Sequence, residues 1–401
     1  MRILIHTQFY PPEMGAPQAR LSDLARRLKQ MGHDVDVLSA MPNYPTGRIF
    51  DGYGGLYRQE TMDGIRIHRA WIVPSNKPSM AHRLISYLSF SLSSLIIGLF
   101  KSGKADVIIT ESPPLFLALT GWLLAKLKGA RWIMNVSDLW PDSAKYIGML
   151  REKSLTYKMM AGLAHFLYRS AWLVTGQSRE IISEIQSQVP EARGYHLSNG
   201  VDLSRFDRKF RLDSIRKRYL KQGETGFVFA GLHGLFQGLD QVVMTAEKLR
   251  DEPVRFILIG DGADKQTLIK SAKERGLRNI DFYPPVSHDE IPAILASMDV
   301  ALITLKSAIR GAVPSKIYEA MASGIPVLLV AEGEARGIVQ EAGAGLVVSP
   351  GDSENLLHAV RKLAQDAVIR VRMGEAGRRA AIEHFDRRKI VENFEKVLRT
   401  G

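Results

Sequence analysis

Two residues in one short segment have the types and spacing to hold a nucleotide. Lys316 and Glu319 lie in Gly311-Ala-Val-Pro-Ser-Lys-Ile-Tyr-Glu-Ala-Met-Ala-Ser-Gly-Ile-Pro-Val327. This pattern predicts a short helix that opens at Pro314, closes at Gly324 and Pro326, and leads into a buried strand over Ile325–Val330. Lys316 then sits in the first turn, where the macrodipole already places partial positive charge. A cation there costs about 0.3–1 kcal/mol unless an anion binds beside it. Glu319 follows on the same face. A phosphate could rest on Pro314, Ser315 and Lys316 while Glu319 takes the ribose hydroxyls. A plain surface ion pair between Lys316 and Glu319 fits the spacing equally well.

Four other loops carry informative residues, each after a predicted strand. In Pro12-Glu13-Met-Gly15, Gly15 could let the backbone approach a phosphate or could serve only as a turn residue. Gly231-Leu-His-Gly234-Leu-Phe-Gln237-Gly238 has the glycine content of a phosphate cradle, but its spacing is neither G-x-G-x-x-G nor a P-loop. Gly260-Asp-Gly262 is a further glycine turn. In Ser137-Asp138-Leu-Trp140-Pro-Asp142, Asp138 could orient hydroxyls or carry a proton, whereas Asp142 suits a helix N-cap. His6, Gln8 and Tyr10 project from the end of the first strand. They could line the same site or be satisfied structurally.

These loops need rigid elements to place them. Strands and helices alternate from Ile3 to the loop Asn199-Gly-Val-Asp202, and the alternation restarts at Phe227. That order predicts an α/β protein with two doubly wound, Rossmann-like domains. The boundary lies near residues 199–212, giving domains 1–200 and 201–384. Ligands in such sheets bind outside the strand C-terminal ends, so a cleft between facing domains is the expected site. A last amphipathic segment, Arg387–Leu398, exceeds what the second sheet needs.

The chain has 401 residues, 45% apolar and 24% charged, as in a soluble globular protein. Its net charge of +12 favours anionic partners. No nucleic-acid-binding module is visible. With no cysteine there is no disulfide framework and no thiolate chemistry. Serine-hydrolase and zinc-protease motifs are missing, and Asp34-Val-Asp36 reads as an exposed strand face rather than a cation site. The chain opens on a strand, Arg2–His6, so no cleavable leader is expected. Leu84–Phe100 is apolar, but five serines interrupt it and it is short for a span of about 20 residues. It reads as a helix packed on a sheet.

Taken together, Phe9-Tyr-Pro-Pro-Glu13, Gly32-His33, Pro42-Asn-Tyr-Pro45, Ser112-Pro-Pro-Leu-Phe116, Asp138-Leu-Trp-Pro141, Ser198-Asn-Gly-Val-Asp202, Gly260-Asp-Gly262 and Pro314-Ser-Lys-x-Tyr-Glu319 make the chain resemble the retaining GT-B glycosyltransferases of family GT4. The likeness is to the WbuB-like and colanic-acid-type sugar transferases of surface polysaccharide synthesis, and it covers nearly the whole chain. It implies a nucleotide-sugar donor, with UDP the expected nucleotide, bound mainly by the C-terminal domain. It implies an acceptor on the N-terminal domain, and a final helix, about 385–401, that crosses back to that domain. Glu319 matches the ribose carboxylate, and Gly15 the glycine that meets the donor phosphate. Pro284–Val286, including Pro285 and Val286, matches the loop that contacts the base. His6, Tyr10, Glu13, Trp140 and Asp142 are then acceptor-side candidates.

The chain departs from the family pattern at several positions. Gly311 stands where many relatives carry a carboxylate for the transferred sugar, so backbone at Ala312 and Val313 is expected to take part of that role. Leu232 and Gln237 stand where many carry basic residues for the diphosphate, which makes Lys316 the candidate cation. Ser137 replaces a common histidine, shifting the polar role near the sugar to Asp138. The expected catalytic set is Asp138, Lys316 and Glu319. The donor set adds Gly15, Gly231, Gly234, Gln237, Gly260, Gly262 and the helix start.

The expected activity is retaining, metal-independent transfer of an N-acetylated hexosamine, 6-deoxy forms included, to a polyprenyl-diphosphate-linked saccharide. It would take place at the cytoplasmic face of an anionic membrane, with no cofactor and no nucleic acid. Arg83, Lys101 and Lys104 would contribute to lipid attraction. A nucleotide-sugar 2-epimerase of the same fold and a non-catalytic nucleotide-sugar scaffold are the alternatives.

Overall fold

A computed structural model describes residues 1–76, 79–146, 150–307 and 310–400. The chain forms two compact units, Met1–Ser198 with Val391–Gly401, and Asn199–Ile390. The boundary falls at Ser198/Asn199 rather than 200/201, and the return to the first unit comes at Val391 rather than 385. Residues 385–387 still belong to the second unit for a physical reason. The Phe385 ring lies 4.8 Å from Tyr318. The Phe385 carbonyl accepts from Val201 N at 2.8 Å, and Arg387 N donates to Val201 O at 3.0 Å.

The first unit is built on an eight-stranded sheet. Its strands are β1 (Arg2–His6), β2 (Asp34–Ala40), β3 (Tyr57–Met62), β4 (Ile65–Ala70), β5 (Val107–Ser112), β6 (Arg131–Val136), β7 (Leu173–Gly176) and β8 (Gly194–His196). They are ordered β3-β4-β2-β1-β5-β6-β7-β8, and all neighbours are parallel except the β3–β4 hairpin. The order reverses between β1 and β5, so the loops after these two strands diverge and leave a crevice mouth. The hairpin turns on Asp63 (φ 52°) and Gly64 (φ 72°), a two-residue loop that demands left-handed backbone. Val391, Phe394 and Leu398 of helix Arg387–Thr400 are buried, on the i, i+3, i+7 spacing of one helix face, and the Phe394 ring lies 5.7 Å from Tyr195.

The second unit has six parallel strands: β9 (Thr225–Ala230), β10 (Val254–Ile259), β11 (Ile280–Tyr283), β12 (Val300–Thr304), β13 (Val327–Val330) and β14 (Gly345–Val348). Their order is β11-β10-β9-β12-β13-β14, with the reversal between β9 and β12. Side chains alternate across this sheet. Phe227 and Phe229 enter one core layer and Val228 the other. Each such fully buried side chain contributes roughly 1.5–3 kcal/mol of transfer free energy. The doubly wound reading therefore holds for both units. Elements absent from the sequence expectation are β3, β8 and helices Asp142–Tyr146, Arg179–Gln188 and Ala367–His384.

Candidate functional site

The reversal between β9 and β12 places two loops side by side: Gly231–Gly238 after β9, and the segment leading to Lys316 after β12. Helix Lys316–Ala322 starts two residues later than expected, with Ser315 as its cap and Pro314 outside it. Pro314 instead offers its carbonyl to Ile317 N at 3.1 Å, closing a tight turn before the helix. Gly324 ends the helix in the left-handed region (φ 67°), as the sequence predicts.

Lys316 is held by shape rather than by an opposite charge. Its Nζ stands over the Phe229 ring, 3.9 Å from the centroid. Among the described residues no carboxylate lies within 4.0 Å of it, so the surface ion pair with Glu319 is not formed. Burial pushes the ammonium down to about 8, and the Glu319 carboxylate partly offsets this. Gly231 makes the arrangement possible, because a Cβ at that position would sit 2.4 Å from Lys316 Nζ. Glu319 is half-buried one turn on, where it also acts electrostatically on His288.

Glycine is required at the neighbouring turns because backbone packs on backbone. A Cβ on Gly260 would lie 1.9 Å from Gly231 O, and one on Gly262 would lie 2.4 Å from His233 O. Gly234 caps and Gln237 closes a 3-10 turn, Leu235–Gln237, held by Gln237 N to Gly234 O at 2.9 Å and by Thr304 Oγ1 to Gln237 O at 2.6 Å. Gly311 adopts φ 76°, so a carboxylate residue there would be strained in this backbone. Ala312 is half-buried and Val313 belongs to the core. In the loop after β11, Pro285 is exposed while Val286 packs on the core.

Three residues here escaped sequence reasoning. Phe229 supplies the ring under Lys316. Lys265, in the first turn of helix Lys265–Glu274, donates to Gly260 O at 2.6 Å and Tyr283 O at 2.8 Å, so its ammonium is already satisfied. The first-turn argument used for Lys316 would have found it. His233 is fully buried, and its ring lies 5.7 Å from that of Phe229. Burial, then the Lys265 and Lys316 charges, push it down to about 4.

In the first unit, the loops after β1, β5 and β6 are packed with paired polar groups. The Glu13 carboxylate accepts from the backbone N–H groups of Asn43 and Tyr44 at 2.8 Å each and of Tyr10 at 3.2 Å. Burial raises its proton affinity and these bonds oppose that. His6 is buried, with Nε2 3.0 Å from Ser94 Oγ and burial pushing it down to about 3. Tyr10 is buried and its hydroxyl titrates well above the usual range for the same reason. His6, Tyr10 and Glu13 are thus buried, bonded or packed supports of the loop after β1.

Gly15 precedes helix Ala16–Gln30, is exposed, and has no side-chain cap. Its φ of 166° suits any residue, and a Cβ there would meet only the mobile end of Gln18, 2.5 Å from Oε1. Below it, Arg20 bonds Glu111 and Ser137 at 2.5 Å and Gln177 at 2.9 Å, and Asn135 and Ser137 also donate to Glu111. This buried network, missed in the sequence, fixes the end of β6 from which Asp138 projects. Asp138 keeps an exposed face, yet surrounding protein pushes its carboxyl up to about 6. Trp140 is half-buried on the core. Asp142 opens helix Asp142–Tyr146 and accepts from Tyr157 OH at 2.5 Å, a structural engagement.

Comparison with known proteins converges on one family. Residues 213–380 match the family model "Glycosyl transferases group 1", and residues 15–200 match "Glycosyl transferase 4-like domain". The chain is 29% identical to WcaI, a colanic acid biosynthesis glycosyl transferase of Escherichia coli (strain K12), over 100% of both chains. It is 27% identical to the glycosyltransferase WbjE of Pseudomonas aeruginosa, over 66% of this chain and 68% of that one. Among solved structures, Anabaena HepE in complex with UDP superposes with a TM-score of 0.74 at 17% identity, over 100% of both chains. WaaG, a glycosyltransferase involved in lipopolysaccharide biosynthesis, superposes with a TM-score of 0.72 at 15% identity, covering 99% of this chain and 100% of that one.

Proposed function

Because the chain belongs to the group 1, GT4-like glycosyltransferases of GT-B fold, we propose that it is a hexosyltransferase of surface polysaccharide synthesis. It takes a UDP-sugar donor on its second unit and transfers the sugar with retention, without an obligatory metal. The sugar is an N-acetylated hexosamine, and the acceptor is a polyprenyl-diphosphate-linked saccharide at an anionic membrane surface. The observation that carries this reading is Lys316: an ammonium over the Phe229 ring with no carboxylate beside it among the described residues. A cation so placed, among turns that only glycine can occupy, is matched to a diphosphate.

The chemistry follows from where charge develops. As the bond from the sugar C1 to the diphosphate oxygen breaks, negative charge grows on the leaving group. Lys316 and the backbone amide at Gly234 stabilise it. The acceptor hydroxyl attacks on the face the diphosphate leaves, forming the new C1–O bond and giving its proton to the departing phosphate oxygen. Glu319 holds the ribose hydroxyls, the loop at Pro285 and Val286 meets the base, and Asp138 orients a hydroxyl near the transferred sugar. WcaI's association with colanic acid and HepE's complex with UDP support the polymer class and the nucleotide.

The test is Lys316→Ala. Turnover should fall on the order of 10²-fold, and UDP should bind more weakly while uridine binds unchanged. Unaltered turnover would remove the phosphate role. Conversion of UDP-GlcNAc with no acceptor present would identify a 2-epimerase instead.

A further inference from the structure

Helix Met80–Phe100 is apolar on both faces: Phe90 is buried, and Leu95, Ile97 and Leu99 pack on the core. Its serines face the protein. Ser86, Ser91 and Ser94 are buried. Ser94 Oγ meets His6, Ser89 Oγ accepts from Val73 N at 2.9 Å, and Ser93 Oγ donates to Trp71 O at 2.5 Å. The outer face is apolar: from Leu84 to Phe100 the exposed residues are Leu84, Ile85, Leu88, Leu92, Ile96 and Phe100, and nothing polar is among them. Leu92 is 64% and Phe100 79% exposed. A surface helix in water normally carries polar residues on its outer face, and a contiguous exposed apolar stripe marks an interaction surface.

The charges around the stripe select its occupant. Arg83 stands at one end, Lys101 and Lys104 at the other, all exposed, and no acidic residue occurs between Ser79 and Ala105. A second copy seated on this face by a two-fold axis would bring cation against cation in either helix orientation. A lipid surface accepts apolar side chains and cations together. Trp71, 40% exposed and tied to the helix through Ser93, adds a side chain suited to the headgroup level. The serine bonds keep the inner face on the protein, so only the outer face is available to a bilayer.

We propose that this outer face seats the enzyme on an anionic leaflet. The helix lies in the membrane plane, with Leu88, Leu92 and Ile96 in the acyl boundary and Arg83, Lys101 and Lys104 at the phosphate level. This deepens the proposed membrane-surface reaction and rests on it only for its purpose, because docking is read without any donor or acceptor.

The test uses the full chain with phosphatidylcholine–phosphatidylglycerol vesicles and with phosphatidylcholine alone. Wild type should float with the anionic vesicles, and the triple variant Leu88→Glu/Leu92→Glu/Ile96→Glu should partition roughly a hundredfold more weakly. Lys101→Gln/Lys104→Gln should bind less and lose most of its salt sensitivity. Leu92→Trp should be quenched by brominated acyl chains. UDP-induced thermal stabilisation of each variant is read in parallel. Its retention shows an intact fold and donor site, and its loss in wild type would count against the UDP-donor reading alone. Equal flotation of the triple variant and wild type overturns the proposal. So does failure of wild type to bind either vesicle, or a self-association that the triple variant abolishes without any lipid effect.

Discussion

The two sheets end in the same kind of crevice mouth but treat charge there in opposite ways. At the ends of β1, β5 and β6, Glu13, Arg20 and Glu111 are each engaged by protein groups. At the ends of β9 and β12, Lys316 rests on an aromatic face, and glycines let the neighbouring turns pack backbone on backbone around it. The first arrangement stiffens the molecule and the second keeps binding capacity in reserve. The difference teaches where to look for a ligand: beside the cation the fold has not paired, rather than where polar residues are densest.

The contrast predicts that variants on the two sides fail in different ways. The largest effect should come from Arg20→Ala, which strands Glu111 in a buried site. A loss of about 3–5 kcal/mol is expected from breaking a buried pair, read as a lowered urea midpoint, with UDP affinity of the folded fraction unchanged. Next come Lys316→Ala and Gly231→Val. Each should cost on the order of 10²–10³ in turnover while leaving the melting temperature of Lys316→Ala unchanged or raised. A loss of stability without a loss of turnover in Lys316→Ala would erase the distinction between the two ends.

Smaller effects sharpen it. Glu13→Ala should destabilise by about 1–3 kcal/mol by orphaning backbone donors, measured by thermal unfolding, with acceptor KM little changed. UDP affinity measured by calorimetry should fall as pH rises through about 8, because Lys316 loses its proton there. Lys316→Arg should flatten that fall, since a guanidinium stays charged. The smallest effect is at His233, which is held neutral in the native state down to about 4. The unfolded chain takes up its proton below about 6.5, so the stability tied to this residue declines as pH drops from there towards 4. His233→Leu should remove that decline, seen as a melting temperature that falls less than that of wild type between pH 7 and pH 5.

Much of this architecture was legible in the residues. The strands over Ile280–Tyr283, Val327–Val330 and Gly345–Val348 fall where apolar runs between turn signals place them. β3 was missed because Tyr57-Arg-Gln-Glu-Thr-Met is a polar edge strand with no buried stripe, although Asp63-Gly64 carries a hairpin signal. Helix Ala367–His384 was missed because its apolar residues are too evenly spread for a stripe, and it buries Gly374 and Gly377 instead. At the candidate site, Lys316 was legible from its unfavourable place in a first turn. Phe229 was not, since a strand phenylalanine reads as core whether or not a cation lies on it. His6, Tyr10 and Glu13 turn inward, which position at a strand end could not decide. Helix Met80–Phe100 packs on the first sheet as its sequence indicated, and only its register showed that the serines face inward beside Phe90 and leave an apolar outer face.

The close approach of Lys316 to Gly231 also constrains how this protein can change. The two positions are distant in sequence, yet a methyl group at 231 and an ammonium at the tip of residue 316 compete for the same space. Their substitutions cannot be independent. A lineage that first shortens residue 316 opens room at 231, whereas one that first adds a side chain at 231 displaces the cation. The order of mutation, and not only its endpoint, decides whether an intermediate keeps its donor site.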